Sequence, residues 1–228
     1  MTNLDGFFLT IIIFKLSERV INLKSLRFLK IFPPVLLTGI LMILWLKIFN
    51  KSYYEYKIST SLLTFLLIPA TISLGYPLYK NKNILLKYKR IIYSAFFVAI
   101  SCAVILTFLT GFCCHINSAL TISMLPKSVT APIAIEISKS AGGIKELTAC
   151  VVVLTGVFGA IFGHLILKLF KVKNDIAIGL ALGATSHVIA TAKCVETGRA
   201  KQITMSSLAL VVVGILTAII IPIFLKLL

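Results

Sequence analysis

The sequence predicts an all-α polytopic integral membrane protein with about eight membrane segments, three of them interrupted by proline or glycine. Three observations carry this expectation. Residues 91–126, 147–167 and 202–225 hold no Asp, Glu, Lys or Arg over 36, 21 and 24 positions, and about 20 apolar residues suffice to cross a hydrocarbon core about 30 Å thick. The chain is 59% hydrophobic and only 13% charged, whereas soluble domains carry about 25% charged residues. The net charge of +16 comes from lysines and arginines confined to the connections between apolar runs. That pattern sets topology by positive cytoplasmic loops and leaves no soluble part to bind nucleic acid.

The apolar segments fall near 4–20, 31–48, 60–79, 91–110, 117–138, 147–167, 176–195 and 202–226, forming a single transmembrane domain over 1–228. The first is weak: its apolar run is short, and crossing requires Lys15 or Arg19 to snorkel, so an interfacial position is the alternative. No basic n-region precedes it, and no signal peptide is read. If all eight segments cross, fifteen basic residues lie on one side, including Lys24, Arg27 and Lys30, against six on the other, which places both termini outside.

Segments three, five and seven differ in kind. They read "LLIPATISLGYPLYK" with Pro69, Gly75 and Pro77, "LPKSVTAPIAIEIS" with Pro126 and Pro132, and "GLALGATSHVIATAK" with Gly179 and Gly183. Proline removes a backbone donor, and freed backbone groups in lipid cost several kcal/mol unless protein or a wet cavity satisfies them. A shift of 57 aligns Pro69, Thr71, Ile72 and Ser73 with Pro126, Ser128, Val129 and Thr130. A shift of 56 aligns Ile133, Ala134, Gly142, Lys145 and Thr148 with Ile189, Ala190, Gly198, Lys201 and Thr204. Internal repeats are therefore expected, and paired interrupted segments point to a transport site.

"LPKSVTAPIAIEISKSAGGIKELTACVVVLTGVFGAIFG" and "GLALGATSHVIATAKCVETG" resemble the LrgB/CidB family of bacterial membrane proteins. That family is also similar to the C-terminal half of the plastid glycolate/glycerate transporter. The family pattern has two threonines before the second proline and glycines after the histidine, where this chain reads Thr130-Ala131-Pro132 and His187-Val188-Ile189. The resemblance implies a multi-pass protein of the bacterial cytoplasmic membrane. It further implies one of two functions. One is carriage of a small monocarboxylate such as pyruvate or glycolate, with a small LrgA/CidA-type membrane partner. The alternative is antiholin-like or holin-like regulation of murein hydrolase activity and autolysis without transport, acting through partner contacts or homo-oligomers.

A small carboxylate needs replacements for its hydration shell. Helix N-termini at chain breaks supply N–H groups, and prolines Pro126 and Pro132 suit the first turn of such half-helices. The second break is expected over Gly183–His187, where glycine opens the backbone and two hydroxyls follow. The candidate substrate-binding residues are Lys127, Ser128, Thr130, Pro132, Thr185, Ser186 and Thr191. Each hydroxyl has the alternative of bonding back to a carbonyl one turn earlier, and Lys127 that of snorkelling to the headgroups. The proton-coupling candidates are His187, which titrates near physiological pH, and Glu136, whose alternative is an ion pair with Lys139 or Lys193. No catalytic residues are expected, since nucleophile-elbow, zinc-protease and P-loop motifs are absent. Cys113-Cys114-His115 lacks a second pair of ligands, so neither metal nor cofactor is expected.

Overall fold

The computed structural model describes residues 5–23, 32–73, 75–80 and 82–226, and among them all regular structure is helical. Lys24, Arg27 and Lys30 lie outside the described residues. Contacts gather into two units, Met1–Ser73 and Leu74–Leu228.

The first unit comprises α1 (Asp5–Asn22), α2 (Pro34–Ile48), α3 (Tyr53–Ser59) and α4 (Ser61–Ser73). Pro34 opens α2 behind an extended Pro33, and the Ser52 hydroxyl caps α3 by accepting from the Tyr54 N–H at 3.2 Å. α1 packs on α2 and α3. Gly6 of α1 presses on the Ser59 side chain, and the Thr10 and Tyr56 hydroxyls meet at 2.9 Å. α4 continues past Pro69, so that proline does not end its helix as expected.

The second unit holds α5 (Gly75–Lys80), α6 (Lys82–Lys87), α7 (Lys89–Cys113), α8 (Ser118–Met124), α9 (Ala131–Ser140), α10 (Lys145–Leu169), α11 (Asp175–Glu196) and α12 (Ala200–Lys226). At 25 residues each, α7 and α10 are about 37 Å long, enough to cross a bilayer. α12 has the same capacity and runs through Pro222. Its core joins Ile92 and Phe96 of α7, Leu125 and Val129 after α8, Val152 of α10, and Leu208 and Val213 of α12.

Segments five and seven enter this core and turn back. α11 has the length and hydropathy of a span, and a straight helix of 22 residues would separate its ends by about 33 Å. Yet Asp175, its first residue, accepts from Arg199 Nη1 at 3.0 Å and Gln202 Nε2 at 2.8 Å, both beyond its last. A Cβ on Gly179 would sit 2.6 Å from the Gln202 carbonyl, and one on Gly183 would strike that of Ser206. The first leg of α11 therefore runs parallel to α12, against it. The reversal falls at Ser186 (φ −136°, ψ 21°) and His187 (φ 42°, ψ −137°). The α8–α9 pair does the same. Ser123 Oγ accepts from the Ile144 N–H at 2.7 Å, and Thr148 Oγ1 lies 3.0 Å from the Ser123 carbonyl and 2.7 Å from Ser138 Oγ. The last turn of α8 and the last of α9 thus meet at the start of α10. Both segments are re-entrant hairpins, and the topology that assumed eight crossings is corrected accordingly.

The hairpins enter from opposite sides. The 118–140 hairpin opens where α7 ends and α10 begins, and the 175–196 hairpin where α10 ends and α12 begins. Phe108 near the end of α7 stacks edge-on with Phe224 near the end of α12 at 5.3 Å, which closes the same side. The expected repeat is present at a shift of 56. It carries Lys89–Cys113 onto Lys145–Leu169, His115 (φ 50°) onto Lys171 (φ 56°), and Gly142 (φ 82°) onto Gly198 (φ 68°). Asn117 and Asn174 both cap the following helix with their side chains. One crossing plus one re-entrant hairpin reverses direction between copies, so the two repeats are inverted.

Gly183→Leu has no space against the α12 backbone and should lower the melting midpoint of the detergent-purified protein by several degrees, an overpacking cost of about 1–3 kcal/mol. Gly39→Ala, where an added Cβ meets nothing within 4 Å, should leave it unchanged. Thermal unfolding of the two variants checks this.

Candidate functional site: two hairpin tips around one cavity

The tip of the first hairpin is residues 125–130. Pro126 follows the end of α8 and continues its chain as tight turns (Lys127 N–H to Met124 carbonyl 3.4 Å, Val129 N–H to Pro126 carbonyl 3.3 Å). Pro126 therefore ends a half-helix and does not open one, contrary to expectation. Pro132 does open one: it lies in the first turn of α9, behind Thr130 as the N-cap residue. Thr130 Oγ1 makes no capping bond and is buried without any hydrogen-bond partner among the described residues. Lys127 is half-buried and donates from Nζ to the Thr107 hydroxyl of α7, which itself donates to the Ala103 carbonyl at 2.7 Å. Among the described residues Lys127 forms no ion pair.

The second tip is Ser186-His187. A positive φ at a non-glycine residue is costly and persists only where the surroundings hold it. Here His187 is 4% exposed and its Nε2 lies 2.9 Å from the Val152 carbonyl of α10. A carbonyl only accepts, so this bond places the proton on Nε2. The Thr191 hydroxyl donates to the His187 carbonyl at 2.9 Å. α10 makes room with two glycines: a Cβ on Gly156 would stand 2.6 Å from His187 Cε1, and one on Gly159 would strike the Ser186 hydroxyl. Both tips lie level with the middle of α10, near the expected bilayer midplane.

Between them lies a cavity of about 450 Å³. Lys127 and Ser128 line it from the first tip, Thr185 and Ser186 from the second, and Thr155 from α10. Its other walls are apolar or small, chiefly Ala99, Cys102, Ala103 and Leu106 of α7 and Phe158 of α10. Among the described residues, Lys127 is the only ionisable side chain besides Cys102 on this lining.

Four candidate residues therefore share one cavity, Lys127, Ser128, Thr185 and Ser186. Thr130, His187 and Thr191 are buried behind the lining, Pro132 shapes the start of α9, and Glu136 is exposed on α9. Thr185 donates to the Ala181 carbonyl at 2.8 Å, the back-bonding alternative, while keeping its oxygen 3.2 Å from Ser186 Oγ. Lys193 pairs with Glu196 at 2.6 Å. Sequence reasoning missed α10 as a wall. The signal was the small-residue spacing Gly156-x-x-Gly159-x-x-x-Gly163, which lets another backbone approach closely.

The LrgB-like family model matches residues 10–227 of the chain. An antiholin-like protein LrgB of Bacillus subtilis (strain 168) is 39% identical over 197 residues, covering 86% of this chain and 85% of its own length. The antiholin-like protein LrgB of Bacillus cereus (strain B4264) is 39% identical over 194 residues, covering 85% and 84%. No solved structure matches the chain. On the family match and these identities, the chain belongs to the LrgB-like family.

Proposed function

We propose that this chain is an antiholin-like protein of the bacterial cytoplasmic membrane that restrains murein hydrolase activity and autolysis. That its Bacillus relatives are antiholin-like proteins supports this reading. A second reading is favoured by one observation: a half-buried lysine, without a carboxylate partner among the described residues, stands where two inverted, broken hairpins meet one cavity. Ionisable residues at such depth mark ligand paths by default, and that geometry suits a carrier for a small monocarboxylate. The two readings meet if carboxylate flux is what adjusts lysis.

In the carrier, Lys127 supplies charge, Ser128 and Ser186 supply hydroxyl donors, and the first turns of α9 and of the second leg of α11 direct their dipoles toward the tips. Thr130, Thr191 and Pro132 hold those turns. A small LrgA/CidA-type protein is the proposed partner, with self-association as the other arrangement. Orientation follows from charge. Lys168, Lys171, Lys173, Lys193, Arg199 and Lys201 flank the mouth of the second hairpin, against Lys139 and Lys145 at the first, so the second mouth is cytoplasmic.

Cells lacking this chain should lyse more readily, and the wild-type chain should restore resistance. Lys127→Met separates the readings: a carrier loses its rescue, whereas a regulator acting through contacts alone keeps it. In proteoliposomes, with and without the small partner, uptake of labelled pyruvate or glycolate should fall at least about tenfold in Lys127→Met, the loss expected when a charge-assisted contact of about 1.5–3 kcal/mol is removed. His187→Gln preserves a donor toward Val152. If His187 carries the coupled proton, this variant transports without responding to a pH gradient; an unchanged response assigns the histidine to packing.

A further inference from the structure

The lining is unevenly divided. Lys127, Ser128, Thr155, Thr185 and Ser186 all lie at the level of the tips, while the part running toward the second mouth is bounded by Ala99, Leu182, Ile166 and Leu167. Of the polar groups, Thr155 and Thr185 spend their hydroxyl hydrogens on the Val151 and Ala181 carbonyls, each at 2.8 Å. Donors for an anion are thus left at Lys127, whose ammonium has three and gives one to Thr107, and at the serines. Among the described residues no second cation lines the cavity.

Resting on the carrier reading, we propose that the preferred ligand is a short-chain monocarboxylate with an unsubstituted hydrocarbon tail. Its carboxylate lies on Lys127 and Ser128, and its tail runs along α7 and α10 toward the second mouth. One cation matches one carboxylate, so a dicarboxylate would bring its second charge into the apolar part unpaired. A hydroxyl on the tail meets carbon on most sides there and gives up its water without return, a cost that hydrocarbon does not carry.

The test measures binding to the full-length protein in detergent micelles by ligand-dependent thermal stabilisation, using acetate, propionate, butyrate, glycolate, glycerate and succinate. Affinity should rise about fourfold for each methylene from acetate to butyrate, the gain expected when the group is buried, with glycolate and glycerate weaker than propionate and succinate weakest. Ile166→Ala, on an exposed side chain that lines the cavity toward the second mouth, should reduce butyrate affinity severalfold and leave acetate unchanged. Lys127→Met should abolish binding of every acid. Glycolate or glycerate binding as tightly as butyrate overturns the substrate class and leaves the carrier reading standing. Binding of no acid at all, by protein with an intact unfolding transition, overturns both, and acid binding retained in Lys127→Met moves the site elsewhere.

Discussion

The second unit is governed by one constraint: a backbone that turns around inside hydrocarbon must have its freed N–H and C=O groups enclosed by protein. Both hairpin tips meet it by close approach. At the second tip, Gly156 and Gly159 remove the side chains that would otherwise hold α10 away, and His187 ties the reversal to the Val152 carbonyl. At the first, Leu125, Pro126 and Val129 are almost entirely buried. The mouths are tied as well, by the Ser123, Ser138 and Thr148 hydroxyls on one side and by Asp175, Arg199 and Gln202 on the other. Without both ends fixed, neither hairpin holds its tip at mid-depth.

Much of this was legible in the sequence, because prolines, glycines and hydroxyls in an apolar run violate a strong rule and advertise an enclosed backbone. Pro132 was placed correctly on general helix chemistry, and the shift of 56 residues pointed to a repeat that the helix bounds and positive-φ residues then match. Direction was not legible. Hydropathy measures how long an apolar segment is, not whether its ends finish on the same side, so α11 reads as a span while Asp175 bonds residues beyond its far end. The break expected over Gly183–His187 does contain the reversal, at Ser186 and His187, but its glycine has another part: Gly179 and Gly183 serve the contact with α12. Pro69 shows the converse: within α4 its missing donor does not end the helix.

The candidate residues divide by position in a way that their chemistry alone did not reveal. Hydroxyls at Thr130, Ser186 and Thr191 look equivalent in sequence, yet only Ser186 reaches the cavity. Thr191 spends its hydrogen on the His187 carbonyl one turn earlier, which stabilises the first turn after the reversal. Thr130 is the unusual one, since a buried hydroxyl without a partner normally costs about 1–3 kcal/mol. Its place at the N-cap of α9 puts that unsatisfied oxygen beside the N–H groups a half-helix leaves open. His187 differs again: its ring is enclosed and bonded to backbone, which makes it a strut for the tip whatever its protonation does.

The inverted copies are also unequal where it matters. Shifting Lys127 by 56 or 57 residues reaches Gly183 or Ala184, so the cation of one tip corresponds to a small residue pressed on α12 or lining the cavity wall in the other. Two lysines facing each other across a cavity of this size would repel strongly at low dielectric, and a symmetric site would call for a doubly charged ligand. With the lysine in one copy alone, the lining has one cation and a polar counterpart built from Thr185 and Ser186. The first hairpin then contributes charge and the second contributes space and hydroxyls. Inverted repeats supply the two-sided frame, and on the carrier reading proposed above the asymmetry between the copies matches one negative charge.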